Sequence, residues 1–265
     1  RYGNPTGSLS KYVEGELIGN IYGYTTIGIA KTDEEMQQHL ASLPNGGQSA
    51  LGSQWAAGDI MYADLNGDGK INNGSYTIND MGDMKKIGNS TPRFMTGINL
   101  DAAYKGWDLQ MFWQGVLKRD WWPGDKNMTF WGVTDGEWWS TSFKEHLDYF
   151  RTSENPLGEN LNSYYPRPIF NTKNNKSQTR YLQNAAYMRL KNIQVGYTFP
   201  KVWINKLMLQ NLRIFVSGEN LLTITSLSDT MDPETCGAGY QSTEQANGTV
   251  YPLAKTISFG LSVNF

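Results

Sequence analysis

Ala254-Lys255-Thr256-Ile257-Ser258-Phe259-Gly260-Leu261-Ser262-Val263-Asn264-Phe265 is the stretch whose reading decides the fold. Its odd positions carry Lys255, Ile257, Phe259, Leu261, Val263 and Phe265, and its even positions Ala254, Thr256, Ser258, Gly260, Ser262 and Asn264. A period of two puts the apolar set on one face of a β-strand and the small or polar set on the other. The length fits the roughly 9–11 residues of a tilted membrane-crossing strand, whereas a strand of a soluble sandwich usually has about 5–6.

Working outward, four more segments alternate in the same way. Phe94, Thr96, Ile98, Leu100, Ala102 and Tyr104 oppose Gly97, Asn99 and Asp101. After Lys105-Gly106, a tight turn, Trp107, Leu109, Met111 and Trp113 oppose Asp108, Gln110 and Gln114. Ile193, Val195, Tyr197 and Phe199 alternate with Gln194, Gly196 and Thr198; upstream, Met188 and Leu190 are out of phase, which predicts a bulge near Asn192. Leu212, Ile214 and Val216 alternate with Arg213 and Ser217, although Phe215 breaks the polar side. The expectation is an all-β fold of antiparallel transmembrane barrel strands at about 94–104, 107–117, 185–199, 211–224 and 254–265.

The connections are unequal in length. Lys105-Gly106 and Pro200–Gln210 are short, whereas 118–184 and 225–253 are long. Outer-membrane barrels alternate short periplasmic turns with long outer loops. With the C-terminus in the periplasm, both long loops fall outside, together with residues 1–93. Tyr104, Trp107, Tyr197, Phe199 and Trp203 then collect at the inner turns, where an aromatic girdle belongs. Five strands cannot close a barrel and the chain begins at Arg1, so a longer protein is expected. The competing reading of the same alternation is a soluble antiparallel sandwich with long loops.

Composition agrees with strands. Aromatic residues make up 13% of the 265 residues, and 28 glycines supply turns. A net charge of −2 leaves no electrostatic footprint for nucleic acid. The single cysteine, Cys236, excludes an intrachain disulfide, and 2 His argue against a zinc site of usual composition. The mean hydropathy of −0.52 carries no apolar run of membrane-helix length, but a barrel strand averages to a polar value.

Asp64-Leu65-Asn66-Gly67-Asp68-Gly69-Lys70-Ile71 resembles the first part of an EF-hand-type cation loop. Oxygens of Asp64, Asn66 and Asp68 occupy positions 1, 3 and 5, the Lys70 carbonyl occupies position 7, and Gly69 permits the turn. Such hard oxygen ligands suit calcium, with magnesium as the alternative. Ser75 stands where the closing acid belongs, so Asp83, preferred, or Asp80 has to complete the shell. An Asx-rich turn with no ion is the structural alternative.

The first long loop is rich in tryptophan: Trp121, Trp122, Trp131, Trp138 and Trp139, with Tyr165 further on. Such rings beside polar groups suit sugars, which offer an apolar C–H face and a polar rim; packing within the loop's own core is the alternative for each ring. Asp135, Glu137, Glu145 and Asp148 read as a solvated acidic face rather than a glycosidase pair. The chain has no catalytic-triad, phosphate-loop or metalloprotease motif, and no enzymatic activity is expected.

Several segments together resemble the SusC/RagA family of TonB-dependent outer-membrane transporters of the Bacteroidetes. They are Val13–Gly19 with Tyr22-Gly23-Tyr24, Gly58-Asp59-Ile60 with Asp64–Gly69, Ile87–Arg93, Gln114-Gly115-Val116 with Lys118-Arg119-Asp120, Tyr181–Tyr187 with Arg189–Asn192, Ser217–Leu222, and the terminal Phe265. The resemblance implies the C-terminal part of a 22-stranded barrel in the outer membrane, closed by an upstream plug. It also implies a SusD-like surface lipoprotein as lid, TonB as the source of power, and oligosaccharide or sometimes peptide as cargo. The stretched acidic loop departs from the family's pattern. The rival function is a soluble, secreted, calcium-stabilised carbohydrate-binding β module; a glycoside hydrolase is a distant third.

Overall fold

The computed structural model describes residues 3–138, 140–236 and 253–265. In chain order the strands and α-helical turns are β1 (Asn20–Tyr24), β2 (Thr26–Ile29), α1 (Asp33–Ala41), β3 (Ile60–Tyr62), β4 (Met84–Asn89), β5 (Arg93–Tyr104), β6 (Trp107–Lys118), β7 (Asp120–Trp121), α2 (Met128–Trp131), β8 (Gln183–Asn184), β9 (Tyr187–Thr198), α3 (Lys201–Ile204), β10 (Asn211–Thr225) and β11 (Thr256–Asn264). Two compact units result. A loop unit comprises 1–91, 120–183 and 235–250, and a sheet unit comprises 92–119, 184–234 and 251–265.

The sheet unit is an open five-stranded sheet in the order β11-β10-β9-β6-β5, every pair antiparallel. Directly paired residues on an antiparallel sheet share a face, and the register turns five separate alternations into continuous rows. One row runs Ala102, Leu109, Val195, Val216, Phe259; the next runs Tyr104, Trp107, Tyr197, Ile214, Leu261. The opposite face carries Asp101, Gln110, Gln194, Ser217 and Ser258 in a single row. The apolar face is bare: Ile257 is 63% exposed and Phe259 83%. A sandwich would bury these side chains against a second sheet, so that reading is overturned.

The phase slip in β9 has a local cause. Phe112 pairs with Asn192 and Trp113 with Leu190, which leaves Lys191 as the extra, bulged residue. The bulge returns Leu190 and Met188 to the apolar rows, opposite Leu222 and Ile224 of β10. Lys105 and Gly106 both have positive φ (48° and 91°), as a two-residue turn matched to strand twist requires. Phe215 stops being an anomaly once the partner strand is in place. Its ring lies over Gly260, directly opposite on β11, and takes the Arg213 guanidinium at 4.9 Å. Gly196 makes room on the same face for Arg213, which binds Asp108 through Nη2 at 2.5 Å and Nε at 3.0 Å.

At the far end of this polar face, basic side chains hold the segment after β10. Arg189 reaches Asp232 and Glu234, each at 2.9 Å, Lys191 reaches Glu234 at 3.2 Å, and Arg119 donates to the Pro233 carbonyl at 3.1 Å. Residues 237–252 of the long loop expected over 225–253 lie outside the described residues.

The loop unit is built from β1 paired with β4 and β2 paired with β3. The helix α1 was not anticipated by the reading of this region as loop. Its sequence signal is Thr32-Asp33-Glu34-Glu35: Thr32 Oγ1 accepts from the Glu35 N–H at 3.2 Å, and Glu35 returns a bond to the Lys31 N–H at 2.6 Å. Met36, Ile60, Tyr62 and Ile71 form a fully buried core. Gln48 spans it, accepting from the Tyr62 N–H at 2.6 Å and donating to the Ile60 carbonyl at 3.1 Å.

Candidate functional site

The acidic loop folds as a chain of Asx turns. Asp64 accepts from the Gly67 and Gly69 N–H groups at 2.7 and 2.9 Å, Asn66 from Asp68 at 2.9 Å, and Asp68 from Lys70 at 3.1 Å. Asp83 is fully buried and accepts from the Leu65 and Asn72 N–H groups at 2.9 and 2.8 Å. Burial, with the neighbouring Asp64 charge, pushes the Asp83 carboxyl up. Burial also acts to raise Asp64, but the Gly69 and Gly67 N–H groups prevail and hold it low. Asp80, the alternative to Asp83 as closing acid, is engaged locally. It closes its own turn, accepting from the Ser75 and Gly82 N–H groups at 2.8 and 3.3 Å. Asp83, the preferred closing acid, lies beside Asp64. Among the described residues no three acidic, histidine or cysteine side chains converge as a metal cage.

The tryptophan-rich loop separates into an interior and an edge. Trp121, Trp131 and Tyr165 are buried, and Trp131 is wholly so. Trp131 meets Phe130 and Tyr181 edge-on, each at 4.8 Å, and Phe130 meets Trp121 at 6.4 Å and Tyr165 at 5.9 Å. These three candidate sugar contacts pack on Phe130 and Tyr181 and take the alternative weighed for each ring, a place in the core of the loop unit. Trp122 is half-buried, 6.1 Å from Trp131. His146 is sealed beside them: its Nδ1 accepts from the Phe143 N–H at 2.8 Å and its Nε2 faces the Phe130 carbonyl at 3.1 Å. Burial holds its imidazole below the usual histidine range. Trp138 is 78% exposed, while Trp139 lies outside the described residues.

Sequence reasoning missed a buried ionic centre. The Asp59 carboxylate, with no exposure, binds Lys173 Nζ at 2.8 Å, Arg167 at 2.8 and 2.9 Å, and the Asn174 amide at 2.9 Å. Lys173 also lies 4.6 Å over the Trp55 ring. Burial acts to raise Asp59, and the Arg167, Lys173 and Asn174 bonds outweigh it and hold the carboxyl low. Gly58-Asp59-Ile60 was legible as a motif; nothing near Lys173 marks it as the partner.

A sheet greasy on one whole face and polar on the other, carrying elaborate loops between its strands, is a stretch of β-barrel wall. No family model matches the chain. TonB-dependent receptor P3 of Formosa agariphila is 30% identical over 260 residues, covering 95% of this chain and 22% of the receptor. TonB-dependent receptor P39 of the same organism is 24% identical, covering 95% of this chain and 25% of the receptor. The chain thus spans roughly a quarter or less of these curated relatives. The solved structure of the RagAB peptide transporter shares the fold at a TM-score of 0.55 and 17% identity, covering 93% of this chain and 23% of that one. Along 95% of its length the chain is thus similar to TonB-dependent receptors, and its fold is that of part of the RagAB transporter.

Proposed function

We propose that this chain forms part of the wall and outer loops of an outer-membrane importer of oligosaccharides. A SusD-like surface lipoprotein serves as its lid and TonB supplies power through a plug domain. The observation that carries this reading is the apolar row set shared by five strands, which fits lipid contact, beside a polar face suited to an aqueous lumen. The chain performs no covalent chemistry; its curated relatives carry the name of receptors. Peptide is the second cargo to test, because the solved relative is described as a peptide transporter. The decisive experiment deletes the gene and measures uptake of labelled oligosaccharides and peptides, with and without a functional TonB. TonB-dependent loss of oligosaccharide uptake is expected; unaltered uptake would refute the reading.

The same reading gives the acidic loop a stiffening role, with calcium bound by Asp64, Asn66, Asp68, the Lys70 carbonyl and Asp83, and magnesium as the alternative ion. The raised Asp83 carboxyl beside Asp64 supports it, since a divalent cation would relieve that repulsion. Calorimetric titration of the purified protein with each ion tests it. Asp83→Asn should weaken binding strongly and Asp80→Asn little.

A further inference from the structure

Within the loop unit, a cleft of about 290 Å³ lies between two short segments. Val133, Glu137, Trp138 and Ser140 form one wall, and Pro168-Ile169-Phe170 the other. This is close to the lower edge of the roughly 300–1,000 Å³ of small-molecule sites, a size for part of a polymer.

The walls are fixed to one another. Gly136 packs so closely on Asn171 that a Cβ would sit 2.6 Å from its carbonyl oxygen, and the Asn175 amide donates to the Thr134 carbonyl at 2.9 Å. Buried Asp135 accepts from the Asn127 N–H at 2.8 Å and from the Ser140 hydroxyl at 3.2 Å, which sets the wall of Val133, Glu137, Trp138 and Ser140 from inside. Two rings remain in water at the lips: Trp138 at 78% exposure and Phe170 at 83%. Glu137 adds a carboxylate whose Oε1 is paired with Lys126 at 2.6 Å.

We propose that this cleft is a sugar-binding subsite that takes a neutral pyranose unit of a glycan, stacked on Trp138 or Phe170 with its hydroxyls donating to Glu137. An apolar side chain would leave the acid at the cleft unused, whereas a pyranose presents C–H groups to a ring and O–H groups to a carboxylate at once. Lys126 already balances the charge of Glu137, so an uncharged sugar fits better than an acidic one. The proposal deepens the import reading and rests on it for the use of the site, not for binding itself.

The test is calorimetric titration of the full-length protein in detergent with xylohexaose, laminarihexaose and maltohexaose. At least one should bind the wild type. Trp138→Ala and Phe170→Ala should each weaken it by about tenfold, the scale of a lost aromatic contact. Glu137→Gln should weaken it several-fold, and Trp138→Phe should retain most of it. Unchanged heat-modifiable migration of each variant on gels establishes that the barrel has folded. Binding of none of the three glycans, or equal binding by wild type and Trp138→Ala, overturns the subsite, as does competition for the cleft by an apolar peptide alone. If the wild type binds glycan at the cleft but gene deletion leaves glycan uptake intact, the import reading fails and the subsite stands.

Discussion

Replacing Val216 by Lys should cripple the barrel, while Ser217→Lys, one residue along and on the other face, should scarcely affect it. Val216 lies in the apolar row Ala102, Leu109, Val195, Val216, Phe259, between Val195 and Phe259, and Ser217 in the polar row of Asp101, Gln110, Gln194 and Ser258. Depth follows from strand geometry. Five residues separate Val216 from the start of β10 at Asn211. At about 3.3 Å per residue and a tilt of about 40–45°, they carry the chain about 12 Å along the membrane normal. That is close to the middle of an apolar band about 25 Å tall. A Lys there costs about 2–4 kcal/mol, and a Lys toward the lumen about zero. The assay is reversible urea unfolding of the full-length protein in lipid vesicles, followed by tryptophan fluorescence and heat-modifiable migration. Equal destabilisation by the two substitutions, or a larger effect at Ser217, would refute the assignment of faces.

Asp59→Asn should destabilise the loop unit by about 3–5 kcal/mol, because it leaves Lys173, nearly without exposure, short of its counter-charge; hydrogen exchange of the 53–62 and 167–178 segments reads the loss. Gly196→Leu should cost about 1–3 kcal/mol in urea unfolding, since a side chain would enter the Asp108–Arg213 bridge, with a Cβ only 2.6 Å from Asp108 Oδ2. Burial holds both His146 and His39 below the usual histidine range, although a Gln48 bond partly offsets it at His39. The unfolded chain, with its histidines near about 6.5, then takes up protons first. Stability of the loop unit should be full above that pH and fall as pH drops below it. His146→Gln should shallow that slope in pH-dependent melting, and an unchanged slope would remove His146 from the account.

The period-two pattern is a property of each strand alone, so Ile257 to Val263 and Leu100 to Tyr104 announced their faces before any partner was known. The Lys105-Gly106 turn and the bulge beside Asn192 were legible for the same reason: both are local answers to local backbone geometry. The sequence by itself therefore determined five long amphipathic strands and the family they resemble. Tertiary structure alone decided how the loops pack. Asp59 finds Lys173 and Arg167 more than a hundred residues away, and Trp131 lies in a core while Trp138 is exposed. A strand's face is set by alternation along one backbone, whereas a loop's interior is set by which distant segments close on it, and no period records that.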